Sequence, residues 1–227
     1  KQMNKEWEKE YHEANHYDSN LHKAENKVII EYIYHILRKD QEDASKNPLS
    51  IYGLEADREI PLPIEGVGVI RIGGTIDRLD LIGEGSTQRM RVIDYKSGVY
   101  KDDTHKKKMS ATWEELMTDA NKGYVRQTMM YSYAVEQSLK VESQELKVEP
   151  HLYFCSKDLL SDKMNTSIEL EGETISDFAK LSDTFKEQLT AKAKELLTTT
   201  DFPQCEENEC PSFCEFFKLC NRKPNEF

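Results

Sequence analysis

Two β-branched segments that face each other across a short glycine-containing turn constrain this chain more than any other feature. The first is Gly73-Gly74-Thr75-Ile76-Asp77-Arg78-Leu79-Asp80 and the second is Arg91-Val92-Ile93-Asp94-Tyr95-Lys96-Ser97-Gly98, with Gly83-Glu84-Gly85-Ser86 between them. Strand-length apolar runs on either side of a turn signal read as a β-hairpin. A hairpin symmetric about the Gly85-Ser86 bond sets Asp77 directly across from Asp94, with both side chains on one face. Lys96 lies two residues beyond Asp94 and projects from that same face. Apposed carboxylates repel unless a cation sits between them, and a hard divalent ion such as magnesium suits such a pair.

An acid and a lysine two apart in an antiparallel strand ordinarily mark its solvated face. Here they interrupt Val92-Ile93-Asp94-Tyr95-Lys96, an otherwise buried-looking run, and an inward charge is costly unless it has a purpose. A second constellation follows on a predicted helix from about Gly123 to Leu139, where Gln127 and Tyr131 stack on one face with Tyr124 beside them. A helical tyrosine is commonly half-buried core with its hydroxyl at the rim. The same residues would also serve to line a site.

Around these, the apolar spacing of Val28, Ile29, Tyr32, Ile33, Ile36 and Leu37 predicts an amphipathic helix from Ala24 to Asp40. Strand material is expected at Ser50 to Leu54, Glu59 to Pro63, Val67 to Ile82, Pro150 to Cys155 and Thr166 to Leu170. A short helix is expected around Thr112 to Ala120 and a long one from Ile175 to Leu197. No apolar run is long enough to span a bilayer, and the polar, charged N-terminal stretch does not read as a targeting segment. A cytoplasmic protein excised from a longer chain is the expectation. The net charge of −11 argues against nucleic-acid binding, unless a larger parent protein supplies the basic track, and Lys101 to Lys108 is the only concentrated basic stretch, either a solvated loop or a phosphate contact.

Cys205, Cys210, Cys214 and Cys220 fall within sixteen residues, while Cys155 stands alone in a predicted strand as a small buried hydrophobe. Thiols so clustered, in a chain without secretory features, favour a metal over disulfides. Their spacing does not match a common zinc ribbon.

Gly-Thr-Ile-Asp-Arg-Leu-Asp and Asp-Tyr-Lys-Ser-Gly together resemble the signature of the PD-(D/E)XK nuclease superfamily in its RecB/AddB-like branch, and Gln127-x-x-x-Tyr131 is similar to a further motif of that branch. The resemblance implies an α/β (α+β) restriction-endonuclease-like core, a mixed central sheet flanked by helices, over residues 1–200. Residues 201–227 would form a Cys-rich C-terminal segment packed on it. It implies a Mg2+- or Mn2+-dependent, exonuclease-like deoxyribonuclease acting on DNA in recombination or double-strand break repair. In that reading Asp77, Asp94 and the Tyr95 carbonyl hold metal, Lys96 is catalytic, and Gln127 and Tyr131 border the site. Helicase-like domains would be attached in the parent protein. The Cys-rich tail is similar to the end of AddB-like nucleases, where cysteines hold a [4Fe-4S] cluster. Here the first gap is longer, and no cysteine precedes Cys155, so iron–sulfur, zinc and no metal all stay open. The branch also carries a histidine ahead of the strands, and none of His12, His16, His22 and His35 has its context. Glu55 is read as an exposed strand-end residue or an extra ligand. An inactive DNA-binding or scaffold module with the same fold is the competing reading.

Overall fold

The computed structural model describes residues 20–97, 109–155, 165–201 and 219–220. The amphipathic pattern is realised in α1 (Asn20–Lys46), which continues beyond Asp40. Ion pairs Lys39–Asp43 and Glu42–Lys46, each one helical turn apart, sustain that extension. β1 (Leu49–Ile64) is one strand rather than two pieces. Its charges do not break it because they are satisfied across the ribbon: Thr75 donates to Asp57 at 2.6 Å and Arg71 to Glu59 at 2.8 Å. β2 (Gly68–Ile82) pairs antiparallel with β1, and β3 (Arg89–Lys96) pairs antiparallel with β2.

After β3 come β4 (Ser110–Ala111), α2 (Trp113–Thr118) and α3 (Gly123–Val141), followed by β5 (Lys147–Phe154). β5 lies parallel to β3, which requires a crossover between them, and α3 supplies it. The central sheet is therefore mixed, in the order β1-β2-β3-β5. β4 joins β6 (Glu169–Leu170) and β7 (Glu173–Thr174) in a small second sheet. α4 (Ser182–Thr198) begins later than Ile175, because Asp177 caps a separate 3-10 turn whose Phe178 is buried edge-on against Phe185. Helices flank the sheet, as the sequence leads one to expect. Lys101 to Lys108 lies outside the described residues.

Besides a one-residue bulge on β1 between Ile51 and Gly53, side-chain alternation along β2 inverts near Asp77. Ile76 and Leu79 both enter the apolar cluster that contains Met129 and Tyr131 of α3. Arg78 should join Ile76 by simple alternation, yet it reaches Asp40 of α1. Between them lies Asp77, whose register partner on β1 is Glu55. That pair alone is absent from a ladder otherwise unbroken between Gly53 and Ile64. Glu55 has φ 47°, the left-handed region that non-glycine residues seldom occupy. A kink at Glu55 and Asp77 thus hands the ribbon from one helical layer to the other. Its flanking turn of chain is also tight: at Gly73, with φ 128°, a Cβ would come within 1.9 Å of the Arg58 carbonyl oxygen.

On the α1 side the sheet carries a closed charge network. Arg78 donates through Nε to Asp80 at 2.6 Å and through its terminal nitrogens to Asp40 at 2.7 and 3.0 Å. Arg91 bridges Asp80 at 2.7 Å and Asp43 at 2.6 Å. Burial opposes the Arg78 charge, but its bonds to Asp40 and Asp80 outweigh that and raise its pKa. Arg78 is 3% exposed and Asp80 0%, so removing one partner strands another charge away from water. Arg91→Met should cost about 3–5 kcal/mol in urea denaturation, whereas Lys46→Gln, at an exposed pair, should change stability by less than about 1 kcal/mol.

His151 of β5 is buried on this same side, with Nδ1 2.9 Å from the Thr166 hydroxyl and Nε2 3.6 Å from Glu149. Burial lowers its pKa and the nearby Arg91 charge adds to this, against the opposing pull of Glu149 and Asp43. The folded protein therefore binds this proton less readily than the unfolded chain does. Stability should be full above the unfolded value of about 6.5 and should fall as pH drops below it, until the folded form also protonates. Urea midpoints between pH 7.5 and 5.5 check this, and His151→Gln should flatten the slope.

Candidate active site

β3 ends where the ribbon and the parallel pair diverge, and the residues singled out in sequence gather there. The β2–β3 register follows the symmetry expected of the hairpin through Arg78 opposite Ile93. One step further, at Asp77 and Asp94, backbone pairing stops. Asp77 Oδ2 instead accepts the Tyr95 N–H at 2.7 Å, so a carboxylate replaces the ladder and ties β2 to β3 through a side chain. The Tyr95 ring belongs to the opposite face, where its hydroxyl lies 3.3 Å from Arg78 and its ring meets Tyr153 edge-on. Only its backbone belongs with Asp94 and Lys96.

Asp94 is 3% exposed. Burial raises its pKa, Lys96 works against that rise, and Asp77 adds to it. Lys96 Nζ sits 2.5 Å from Asp94 Oδ2, a short ion pair. The same ammonium donates to Gln127 Oε1 at 2.9 Å and lies 4.7 Å from the centre of the Tyr124 ring, within range of a cation–π attraction. Gln127 Nε2 then donates to the Tyr131 hydroxyl at 2.9 Å. Helical spacing on α3 accounts for this: Tyr124, Gln127 and Tyr131 lie on one stripe, turned toward the end of β3. Tyr131 in turn leans on β2, where a Cβ at Gly74, with φ 150°, would meet its ring at 3.3 Å.

The structure thus brings together Asp77, Asp94, Lys96, Gln127 and Tyr131. Sequence reasoning placed Tyr124 on the right stripe but missed its contact with Lys96; a tyrosine one helical turn before Gln127 was the available signal. Glu55 lies in mid-strand rather than at a strand end, opposite Asp77 and exposed. His35 sits within α1 and joins none of these residues, while His12, His16 and the His22 side chain lie outside the described residues. So do Cys205, Cys210 and Cys214; Cys220 is part of a described turn. Cys155 is buried, with its thiol pushed up to about 11 by burial and by the Asp77 charge, and its N–H donates to the Lys96 carbonyl at 2.8 Å. Among the described residues no three His, Cys, Asp or Glu side chains cluster in a metal-binding group.

A family model for the PD-(D/E)XK nuclease superfamily matches residues 1–221. The chain belongs to this superfamily. No curated protein matches it. The mixed central sheet flanked by helices is consistent with the superfamily's restriction-endonuclease-like fold, and membership suggests a metal-dependent nuclease. Tyr131→Phe should cost about 1 kcal/mol in denaturant unfolding by removing the partner of Gln127. Gly74→Ala should cost about 1–3 kcal/mol, since it strains the backbone and presses on the ring.

Proposed function

We propose that this PD-(D/E)XK chain is a divalent-metal-dependent deoxyribonuclease of the RecB/AddB-like branch, exonuclease-like and serving recombination or double-strand break repair. The observation that carries the reading is the chain of contacts from Asp94 through Lys96 and Gln127 to Tyr131, beside a second carboxylate at Asp77. The donor set fits Mg2+ or Mn2+, because magnesium is commonly held by one or two carboxylates with waters and substrate phosphates completing its shell. Asp94 is moreover 3% exposed, and burial and Asp77 raise its pKa while Lys96 opposes that rise, so a cation near both carboxylates would be stabilised. Asp77, Asp94 and the Tyr95 carbonyl would hold such an ion, which would supply Lewis-acid polarisation of the scissile phosphate and a lowered pKa for the attacking water.

The chain's own residues do the rest. Lys96 presents its ammonium to the negative charge that grows on the phosphate oxygens. Gln127 restrains that ammonium, Tyr124 faces it, and Tyr131 fixes which way the Gln127 amide points. Asp77, engaged with the Tyr95 amide, keeps the two strands at a set separation. Residues 1–200 form the nuclease core in this reading. Residues 201–227 are a structural appendage in which Cys205, Cys210, Cys214 and Cys220 would hold iron–sulfur or zinc. DNA as substrate and attached helicase-like domains follow from the branch resemblance.

The test is cleavage of single- and double-stranded DNA with Mg2+ or Mn2+. Activity should vanish with chelator, and Asp94→Ala and Lys96→Ala should lower it on the order of 100-fold or more. Gln127→Ala should reduce it less, since it acts through Lys96. Cleavage that survives Asp94→Ala would overturn the assignment, and DNA binding without cleavage under any metal would favour the inactive-module reading.

A further inference from the structure

On the face of the sheet away from Lys96, α1, β3 and β5 border a cavity of about 320 Å3. Its walls are almost wholly polar, with Ile82 the one aliphatic hydrophobic side chain among the lining residues. In a chain of net charge −11 it nevertheless gathers four cations, Lys39, Lys46, Arg89 and Arg91, against two carboxylates, Asp43 and Glu149. Both carboxylates are already engaged, Asp43 by Lys39 and Arg91, and Glu149 by Arg89 at 2.9 Å.

Donors remain in excess. Lys39 and Lys46 each spend one ammonium contact on an acid, Asp43 and Glu42, and keep further N–H groups. His151 faces Glu149 through Nε2 at 3.6 Å and Thr166 through Nδ1 at 2.9 Å, so its ring holds the wall in place. Arg89 meets Glu149 through Nε, and its terminal amino groups are further donors. Lys46, 61% exposed on its side chain, stands at the mouth. Paired cations that keep N–H groups to spare, beside hydroxyl groups in a roomy polar cavity, are the complement of an oxyanion.

We propose that this cavity is a binding site for a phosphate-class oxyanion, separate from the candidate active site. Among the described residues no Phe, Tyr or Trp lines it, so the site would recognise a phosphate group and not a nucleobase. The group has two sources: free inorganic phosphate, or the terminal phosphate of a nucleic acid strand.

Isothermal titration of the whole chain with inorganic phosphate, at ionic strength matched with chloride and without divalent metal, tests the proposal. One saturable site is expected, with a matching rise in Tm. Arg89→Gln and Lys46→Gln should each weaken binding about tenfold, and Lys96→Ala should leave it unchanged. Lys46→Gln is the safeguard against misfolding, because among the described residues its side chain pairs with Glu42 at the surface. The absence of saturable binding, binding indifferent to both wall variants, or binding lost in Lys96→Ala would each overturn the site. Displacement of phosphate by a 5′-phosphorylated oligonucleotide, but not by its unphosphorylated twin, would support the site and identify the strand end as its source. Displacement by neither would support free phosphate. Since the readout uses neither metal nor cleavage, its failure is distinct from failure of the nuclease reading.

Discussion

A single missing rung, Glu55 opposite Asp77, decides where the surrounding side chains go. Without it, strict alternation would turn Arg78 and Asp80 toward α3 and leave two charges in an apolar cluster. With it, Ile76 and Leu79 enter that cluster while Arg78 and Asp80 meet the acids of α1. The residue at the inversion, Asp77, is then free of a β1 partner and spends its carboxylate on the Tyr95 amide. Left-handed backbone at a non-glycine residue is costly, and here it is held by the long paired arms on either side.

The two faces of the sheet use charge in opposite ways. Toward α1, each buried charge is answered by another, and Arg78, Asp80 and Arg91 form a continuous relay to Asp40 and Asp43. Such a network clamps a helix to a sheet and fixes its angle. Toward α3 the balance is different: Lys96 pairs with Asp94 and is also drawn toward an amide and an aromatic face, while the second carboxylate, Asp77, is met by the Tyr95 amide. Burial raises the Asp94 pKa, which is the electrostatic signature of a place that a further cation would stabilise.

Much of the candidate site was legible in sequence because its logic is local. A glycine-bearing turn sets the hairpin register, so Asp77 and Asp94 could be paired on paper, and four-residue spacing puts Gln127 and Tyr131 on one helical stripe. The α1-side network was not legible. Asp40 and Asp43 are far in sequence from Arg78 and Arg91, and a charged residue in a strand reads as solvated until its partner is known. β1 looked interrupted for the same reason, since cross-strand partners for Asp57 and Glu59 do not appear in a linear reading. The inversion at Asp77 leaves no compositional trace, because a kink shared by two paired strands preserves their register.

The parallel pairing of β3 with β5 bears on how the molecule comes into being. Lys96 lies beside Phe154 in the ladder, and the helix that orients the lysine fills the chain between them. A nascent chain that has made only the β1–β2–β3 meander has its acids and its lysine but lacks the Gln127 and Tyr124 contacts that fix the ammonium from the helix side. The constellation is completed only when the crossover closes, a non-local step that is slow relative to hairpin formation. Assembly order therefore acts as a safeguard, because the reactive geometry is among the last things this fold acquires.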